Sequence, residues 1–370
     1  MSNTDVIVRT YQVGDEDQIV DLLVKGFNGW PRFDLDCSAR DHWDWKFIDN
    51  PTRKKQITLA EINKVIVGCD HTLFNYVKIG EKTQESGQAV DSAVHPDYRG
   101  KGIYSKIRKF DEEVDHLQSS STNFVYSASS NPIIIKKEGE METRPFPYPL
   151  IRLARIIDID LHLRSHNFSS KILLETGYRA AKSVNSIETM LSSSKKSNSK
   201  LKIVQIHRFD DRIKLFWKKI KENYLFILER SPEYLNWRYC DHRGGNYVIR
   251  QAEEDGEIIG YIVFRVNRYE KEYPTGYVVD LCTLPNRQDC ENALIAEAVG
   301  YFDDLKVNVV NYVINKGHPF ESRFKRFGFL DSRSNIYVGT HFTSYSKEYD
   351  ELDGSPPDKI LLQFGDIDWI

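Results

Sequence analysis

The sequence predicts two successive layered domains of the α/β (α+β) class, each a mixed, mostly antiparallel twisted sheet flanked by helices. Three observations carry this. Over the first 150 residues, strand-like alternation is interrupted by helical periodicity. A stretch beginning at Trp45 returns, gap-free, from Trp237. The chain of 370 residues is also longer than the roughly 150 residues of an ordinary domain.

The elements follow in order. "VIVRTY" alternates and is β-branched, and "GDEDQIVDLLVKGF" places acids ahead of apolar residues at helical spacing, so a strand leads into a helix. A second helix, "SARDHWDWKFID", stops before Pro51, and "KQITLAEINKVIVGCDHTLFNYVKI" reads as two strands about a polar turn near Asn63. "ESGQAVDSAV" is a third strand. "YSKIRKFDEEVDHL" is a charged amphipathic helix and "NFVYSA" a short strand. Prolines at 145, 147 and 149 close this unit. "IRLARIIDIDLHL" is expected to be helical, and "LSSSKKSNSK" (191–200) reads as a linker or exposed loop. The expected organisation is a first domain at 1–150, a connector and linker at 151–200, a second domain at 201–345 and a tail at 346–370.

The repeat supports this division. Trp45/Trp237, Lys46/Arg238, Asp49/Asp241, Ala60/Ala252 and Gly68/Gly260 coincide at an offset of 192, and "VDSAVHP" matches "VDLCTLP" at an offset of 189. The copies part at one place. Arg99-Gly100-Lys101-Gly102 in the first falls opposite Gln288-Asp289-Cys290-Glu291 in the second, and two carboxylates would repel an anion that the first loop suits.

Lys and Arg total 51 against 54 Asp and Glu, so no whole-chain field draws the protein to nucleic acid or anionic membrane. The five cysteines are scattered, with no Cys-x-x-Cys pair, which argues against a disulfide framework and a cysteine zinc site. The histidines show no ligand spacing, so no metal is expected. Without an apolar run of about 18 residues or a basic-apolar leader, the expectation is a soluble, cytoplasmic protein.

The strand, "VHPDYRGKGIY" and the helix after it present backbone N–H groups at a helix N-terminus, with Gly100 and Gly102 permitting close approach and Arg99 and Lys101 adding charge. That arrangement suits a phosphate. A P-loop is absent, and a dinucleotide fingerprint would need glycine where Ser105 stands. With the following strand and "KKEGE", the segment resembles the GCN5-related N-acetyltransferase (GNAT) superfamily over most of 5–145. Two similar domains in one chain resemble its tandem members.

The resemblance implies that Arg99, Gly100, Lys101, Gly102, Ile103, Tyr104 and Ser105 wrap the pyrophosphate of acetyl-CoA. It implies that Val94 pairs with the pantetheine and offers its N–H to the thioester oxygen, and that Asn131 lies near the pantetheine arm. Tyr104 departs from the small residue usual there. The family's tyrosine acid, four residues before Gly139, is replaced by Ile135, and Tyr126 is a substitute. Glu85 is the candidate base, acting through water. Asp91 shares its place with Asp280 of the copy that has lost the loop, which favours a structural role. Phe27, Trp30 and Phe33 are candidates for an acceptor pocket or for the lid's own packing, and Trp45 and Trp237 are assigned to the core.

The expected activity is acyl-CoA-dependent N-acylation, with cofactor bound by the first domain only and a small-molecule or peptide amine as acceptor. Neither nucleic acid nor membrane is expected as a partner, and a homodimer is allowed for. The alternatives are a catalytically silent CoA-binding protein and a transferase of the same fold using another acyl or aminoacyl donor.

Overall fold

The apolar runs at 56–62 and 65–79 turn back on each other at Asn63 and Lys64. Both are left-handed (φ 52° and 64°), the backbone that a two-residue hairpin turn requires. The structure, a computed structural model, describes residues 5–118, 124–132, 134–136, 143–165, 200–342 and 347–369. Part of the expected connector and linker (166–199) and most of "KKEGE", with Gly139, lie outside the described residues.

In the first half, strands β1 (Ile7–Thr10), β2 (Gln56–Ile62), β3 (Val65–Ile79) and β4 (Lys82–Val94) pair antiparallel in that order, and β5 (Phe124–Ser129) joins β4 in parallel. Helix α1 (Glu16–Phe27) and α2 (Ala39–Trp43), which continues as a π-helical turn over Asp44–Ile48, cover one face through Ile19, Leu23, Trp43 and Phe47. Helix α3 (Ile103–Gln118) covers the other through Ile103 and Ile107. Burying side chains on both faces is the main source of sheet stability here, at about 25 cal/mol per Å² of apolar surface.

The second half repeats this plan. β8 (Lys202–Ile206), β10 (Val248–Glu254), β11 (Glu257–Asn267) and β12 (Thr275–Thr283) are antiparallel, and β13 (Val309–Asn315) is parallel to β12. A bulge follows Ala60 in the first copy and Ala252 in the second, at the offset of the sequence repeat.

The halves are joined by exchanged strands. β7 (Leu150–Ile156), from the end of the first half, pairs with β13 of the second. The first part of β14 (Leu330–Phe342) pairs with β7, and its last six residues pair with β5. The result is one continuous sheet, ordered β1-β2-β3-β4-β5-β14-β7-β13-β12-β11-β10-β8.

Two expectations are corrected. Residues 151–156, read as helical, belong with Leu150 to a central strand, because Leu150, Ile151 and Leu153 are needed as ladder partners for both β13 and β14. The helix begins only at Ile159. The 346–370 segment, expected as a tail, is core instead: Leu361, Leu362 and Ile367 are 0% exposed, and β15 (Ile360–Leu361) pairs with β9 (Phe226–Leu228).

Candidate active site

β4 and β5 are hydrogen-bonded in parallel only from Ser86/Phe124 to Gln88/Tyr126. Beyond that point β4 continues to Val94 with β3 as its partner, and between it and β5 lies a cavity of about 510 Å³. Gln88 to Val94 wall one side, Ser127 to Ser129 the other, and Arg99 and Tyr104 also line it. The N–H of His95 is donated to Val67 of β3. Successive N–H groups on a strand alternate in direction, so the N–H of Val94 points to the opposite edge, into the cleft.

The loop after β4 has the backbone its glycines permit. Gly100 and Gly102 lie at φ +75° and +73°, and a Cβ on either would meet no atom within 4 Å. The requirement for glycine there is conformational, and the space beside the loop is open. Arg99 acts differently from the expectation that it adds charge around an anion. Its Nε donates to the Val94 carbonyl (3.2 Å) and its Nη2 to the Gly26 carbonyl (2.6 Å), tying the loop to the end of β4 and the last turn of α1. Lys101 Nζ sits 4.6 Å from the centroid of the Tyr98 ring. Ile103 is buried, and with Tyr104 and Ser105 it forms the first turn of α3. Asn131 is not part of the cavity lining. Its N–H is donated to Ser129 Oγ (3.0 Å), and its carbonyl accepts from Ile135.

A second cavity, of about 260 Å³, opens on the other side of Asp91. Its walls include Phe27, Trp30, Phe33, His42, Trp45, Arg238 and Trp369, and the two cavities share Phe27, Asp91, Asp368 and Trp369. Of the aromatics weighed for an acceptor pocket, all three therefore line it. Trp45 and Trp237 are more than core. They stack at 4.8 Å between the halves, each indole N–H donating to the other's carbonyl (2.9 and 3.0 Å), and Trp45 also faces this cavity.

The junction is held by a buried charge cluster. Asp91 sits on a β4 bulge at φ +49°, and its carboxylate accepts from Trp30 Nε1 (2.9 Å) and Lys46 Nζ (2.6 Å). Lys46 also donates to Asp368. Burial disfavours the Lys46 ammonium, but the carboxylates of Asp368 and Asp91 raise it above the usual lysine range. Burial likewise pushes Asp91 up, and Lys46 with the neighbouring groups more than reverses this. Arg238, which also walls the second cavity, is a further cation that feels Asp368, so Lys46 and Arg238 together offset Asp91 and Asp368. His42 is pushed down to about 4 by burial and by Lys46, and its Nδ1 donates to the Arg243 carbonyl (2.6 Å), so it is neutral at pH 7.

The catalytic candidates fare unequally. Glu85 lines neither cavity. It lies three residues before Gln88, where the lining begins, and its carboxylate is held by Lys54 at 2.5 Å. The Tyr126 hydroxyl is committed to the Asp366 carbonyl (2.7 Å), and burial drives its pKa far up, which fits packing better than acid catalysis. Asp91 is at the junction after all. Asp368 and Trp369 were missed, and the signal for them was "ILLQFGDIDW", too apolar for a solvated tail.

The second half's loop is shorter and ion-paired. Gly68 faces Ile103 at 2.8 Å from its would-be Cβ, and its counterpart Gly260 faces Cys290 at 2.9 Å. Ile103 and Cys290 are thus spatial equivalents at an offset of 187, and the second loop is two residues shorter than the gap-free alignment implies. Arg287 pairs with Asp289 and Glu254, and Glu291 with Arg323.

Among the described residues no group of three or more His, Cys, Asp or Glu is placed to hold a metal, and no helix is long and apolar enough to cross a membrane. In comparisons with known proteins, the model of the acetyltransferase (GNAT) domain matches residues 7–139 and that of the acetyltransferase (GNAT) family matches 213–307. No curated protein matches the chain in sequence. Among solved structures, a conserved protein of Enterococcus faecalis V583 described as a probable N-acyltransferase is 12% identical, with 92% of this chain and 73% of that one covered and a TM-score of 0.59. Saccharomyces cerevisiae N-myristoyltransferase with bound myristoyl-CoA is 12% identical, with coverages of 94% and 85% and a TM-score of 0.58. A GCN5-related N-acetyltransferase from Anabaena variabilis ATCC 29413 is 10% identical, with coverages of 90% and 72% and a TM-score of 0.54. At these identities the likeness is one of fold.

Proposed function

Because this chain belongs to the GNAT superfamily, with two family domains in tandem in an acyltransferase fold, we propose that it transfers an acetyl group from acetyl-CoA to a primary amine. The carrying observation is that the β4/β5 cleft, ending at the Gly100–Gly102 cradle, meets an aromatic cavity at Asp91 and Asp368. The donor lies in the first cleft only, its pyrophosphate against the backbone of 100–105 and its pantetheine along β4. The loop of the second half, shorter and tied by ion pairs, has no such cradle.

The amine, a small molecule or a peptide end, enters the aromatic cavity as an ammonium that its ring faces can hold, and reaches Asp368 at the junction. Asp368, at the junction, takes its proton through water. The amine nitrogen then bonds to the thioester carbon while the Val94 N–H stabilises the developing oxyanion; the nitrogen, positive after attack, releases its second proton to water, and the C–S bond breaks as the carbonyl reforms. The thiolate, with a conjugate acid near pKa 8.5, leaves without a dedicated acid, so Tyr126 need not serve. Charged groups and Trp369 wall the junction, which favours a short acyl group over a long chain. Five free thiols accord with the reducing cytoplasm.

Titration calorimetry with acetyl-CoA, followed by thiol release across a panel of amines, tests this. The expectation is sub-millimolar binding that Gly102→Asp abolishes, and thiol release that Asp368→Asn lowers at least tenfold. Binding indifferent to Gly102→Asp would overturn the assignment of the cleft, and preference for myristoyl-CoA over acetyl-CoA would overturn the assignment of the acyl group.

A further inference from the structure

The second half has its own pair of diverging parallel strands. β12 is bonded to β13 only as far as Val278/Tyr312, and the gap beyond is filled by the chain itself. Gln363, 0% exposed, lies in that gap. Its Oε1 accepts from the backbone N–H of Leu281 (3.1 Å) and from the Tyr312 hydroxyl (2.9 Å), and its Nε2 donates to the Leu281 carbonyl (3.2 Å) and to Asp280 Oδ1 (2.9 Å). One side-chain amide thus satisfies both backbone groups of a single β12 residue, as an added strand would.

Leu281 is the repeat counterpart of Ser92, which lines the first cleft. The rest of the segment is equally fixed. Ile314 bridges Gln363, Leu362 N–H donates to Asn315 Oδ1 (3.3 Å), and Arg230 ties Asp366 (2.7 Å) to Asp280 (2.9 Å). Gly365 packs so closely that a Cβ would stand 2.2 Å from the Tyr239 hydroxyl oxygen. From there the backbone passes Tyr126, which donates to the Asp366 carbonyl, and delivers Asp368 to Lys46 and the Trp369 indole to the Ala128 carbonyl (3.3 Å) of the first cleft.

We propose that residues 360–366 are an internal surrogate for a pantetheine arm, closing the second half's slot to CoA, and that Gln363 is a positioning residue setting how far Asp368 and Trp369 reach into the first cleft. This rests on the reading of the first cleft as the donor site, and the consequence is one CoA per chain. The segment is threaded from one slot to the other, so the degenerate repeat supplies part of the working site.

Two measurements on the full chain test it. Calorimetry with CoA gives the stoichiometry, and the ¹H–¹⁵N indole signal of Trp369, assigned by its loss in Trp369→Phe, reports the segment's end. Gln363→Met keeps the volume and removes the four hydrogen bonds. The Trp369 indole should then shift toward the solvent-exposed position and exchange with D₂O at least tenfold faster, while the Trp43 indole, bonded to His71 in the first core, stays put. Leu361→Ala, which loosens the same core without touching the amide, should leave the Trp369 signal in place. Tyr312→Phe removes a single bond to Gln363 and should move the signal the same way by less, so the idea survives a Gln363→Met that fails to fold. Two CoA per chain in the parent, or an unmoved Trp369 in both Gln363→Met and Tyr312→Phe, would overturn the proposal. Absence of all CoA binding would sink the donor-site reading instead, and the indole signal would still decide where Gln363 holds the segment.

Discussion

Replacing Lys46 by methionine keeps most of the side-chain volume and removes the ammonium that bonds both Asp91 and Asp368. The ammonium is 4% exposed and touches both carboxylates. Breaking a buried pair by deleting one partner costs about 3–5 kcal/mol, because the remaining charge is left uncompensated. An unfolding entropy near 2.1 cal/mol/K per residue gives this chain about 0.8 kcal/mol/K, so Tm should fall by about 4–6 °C at pH 7.5. The pH dependence distinguishes this cause from lost packing. Without Lys46 the buried Asp91 carboxyl loses the charge that holds it low and takes up a proton more readily on acidification, so the deficit relative to the parent should shrink by pH 5. Adding Asp91→Asn should recover part of the loss at pH 7.5. Thermal melts of the three proteins at both pH values decide the matter. A deficit under about 1 kcal/mol, or one equal at pH 5 and 7.5, would refute the cluster's electrostatic role.

Further predictions concern the loop, the seam and acid stability. Gly102→Ala meets no steric obstacle but holds alanine at φ +73°, so melts should show a loss of about 1–2 kcal/mol, with weaker acetyl-CoA binding by calorimetry. Gly244→Ala would place a Cβ 2.4 Å from Trp45 Cζ2 in a ring locked by the Trp237 stack, and should cost about 1–3 kcal/mol in urea denaturation; full stability would mean that the seam yields freely. His42, His71 and His318 are buried with pKa values lowered to about 4, 4 and 3. The unfolded chain, with histidines near 6.5, takes up these protons first as pH falls. The stability they contribute is therefore present above about 6.5 and lost progressively toward pH 4. His318→Asn keeps an acceptor for the Phe320 N–H and should flatten that loss, seen as a smaller drop in urea midpoint between pH 7 and 5.

The first cleft was legible because it is local. The turn at Asn63, the glycines at 100 and 102 and the helix from Ile103 are each dictated within a few residues, and the repeat located the copy without those glycines. What escaped depends on distant partners. "LIRLARI" has apolar residues that serve either a helix face or a strand, and only pairing with β13 and β14 decides between them. Trp45 reads as core because both copies of the repeat keep it; that it also walls a cavity follows from its stack on a residue 192 positions away. Glu85 was drawn to catalysis by its charge on the right strand, and Lys54 holds it elsewhere. Asp368 carries no local signature, since its position comes from the threading of residues 360–366 through the other half.

The exchanged strands also bear on how the molecule can move and be cut. β14 is hydrogen-bonded to β5 by one end and to β7 by the other, so no hinge between the halves can open without tearing a central ladder. Substrates must come and go past side chains and loops, with the sheet acting as a rigid floor. Separate expression of the two halves should leave each with an unpaired central edge, prone to aggregate unless the other is present to complete it. The two halves are in that sense inseparable: they share sequence pattern and topology, yet each is part of the other's interior.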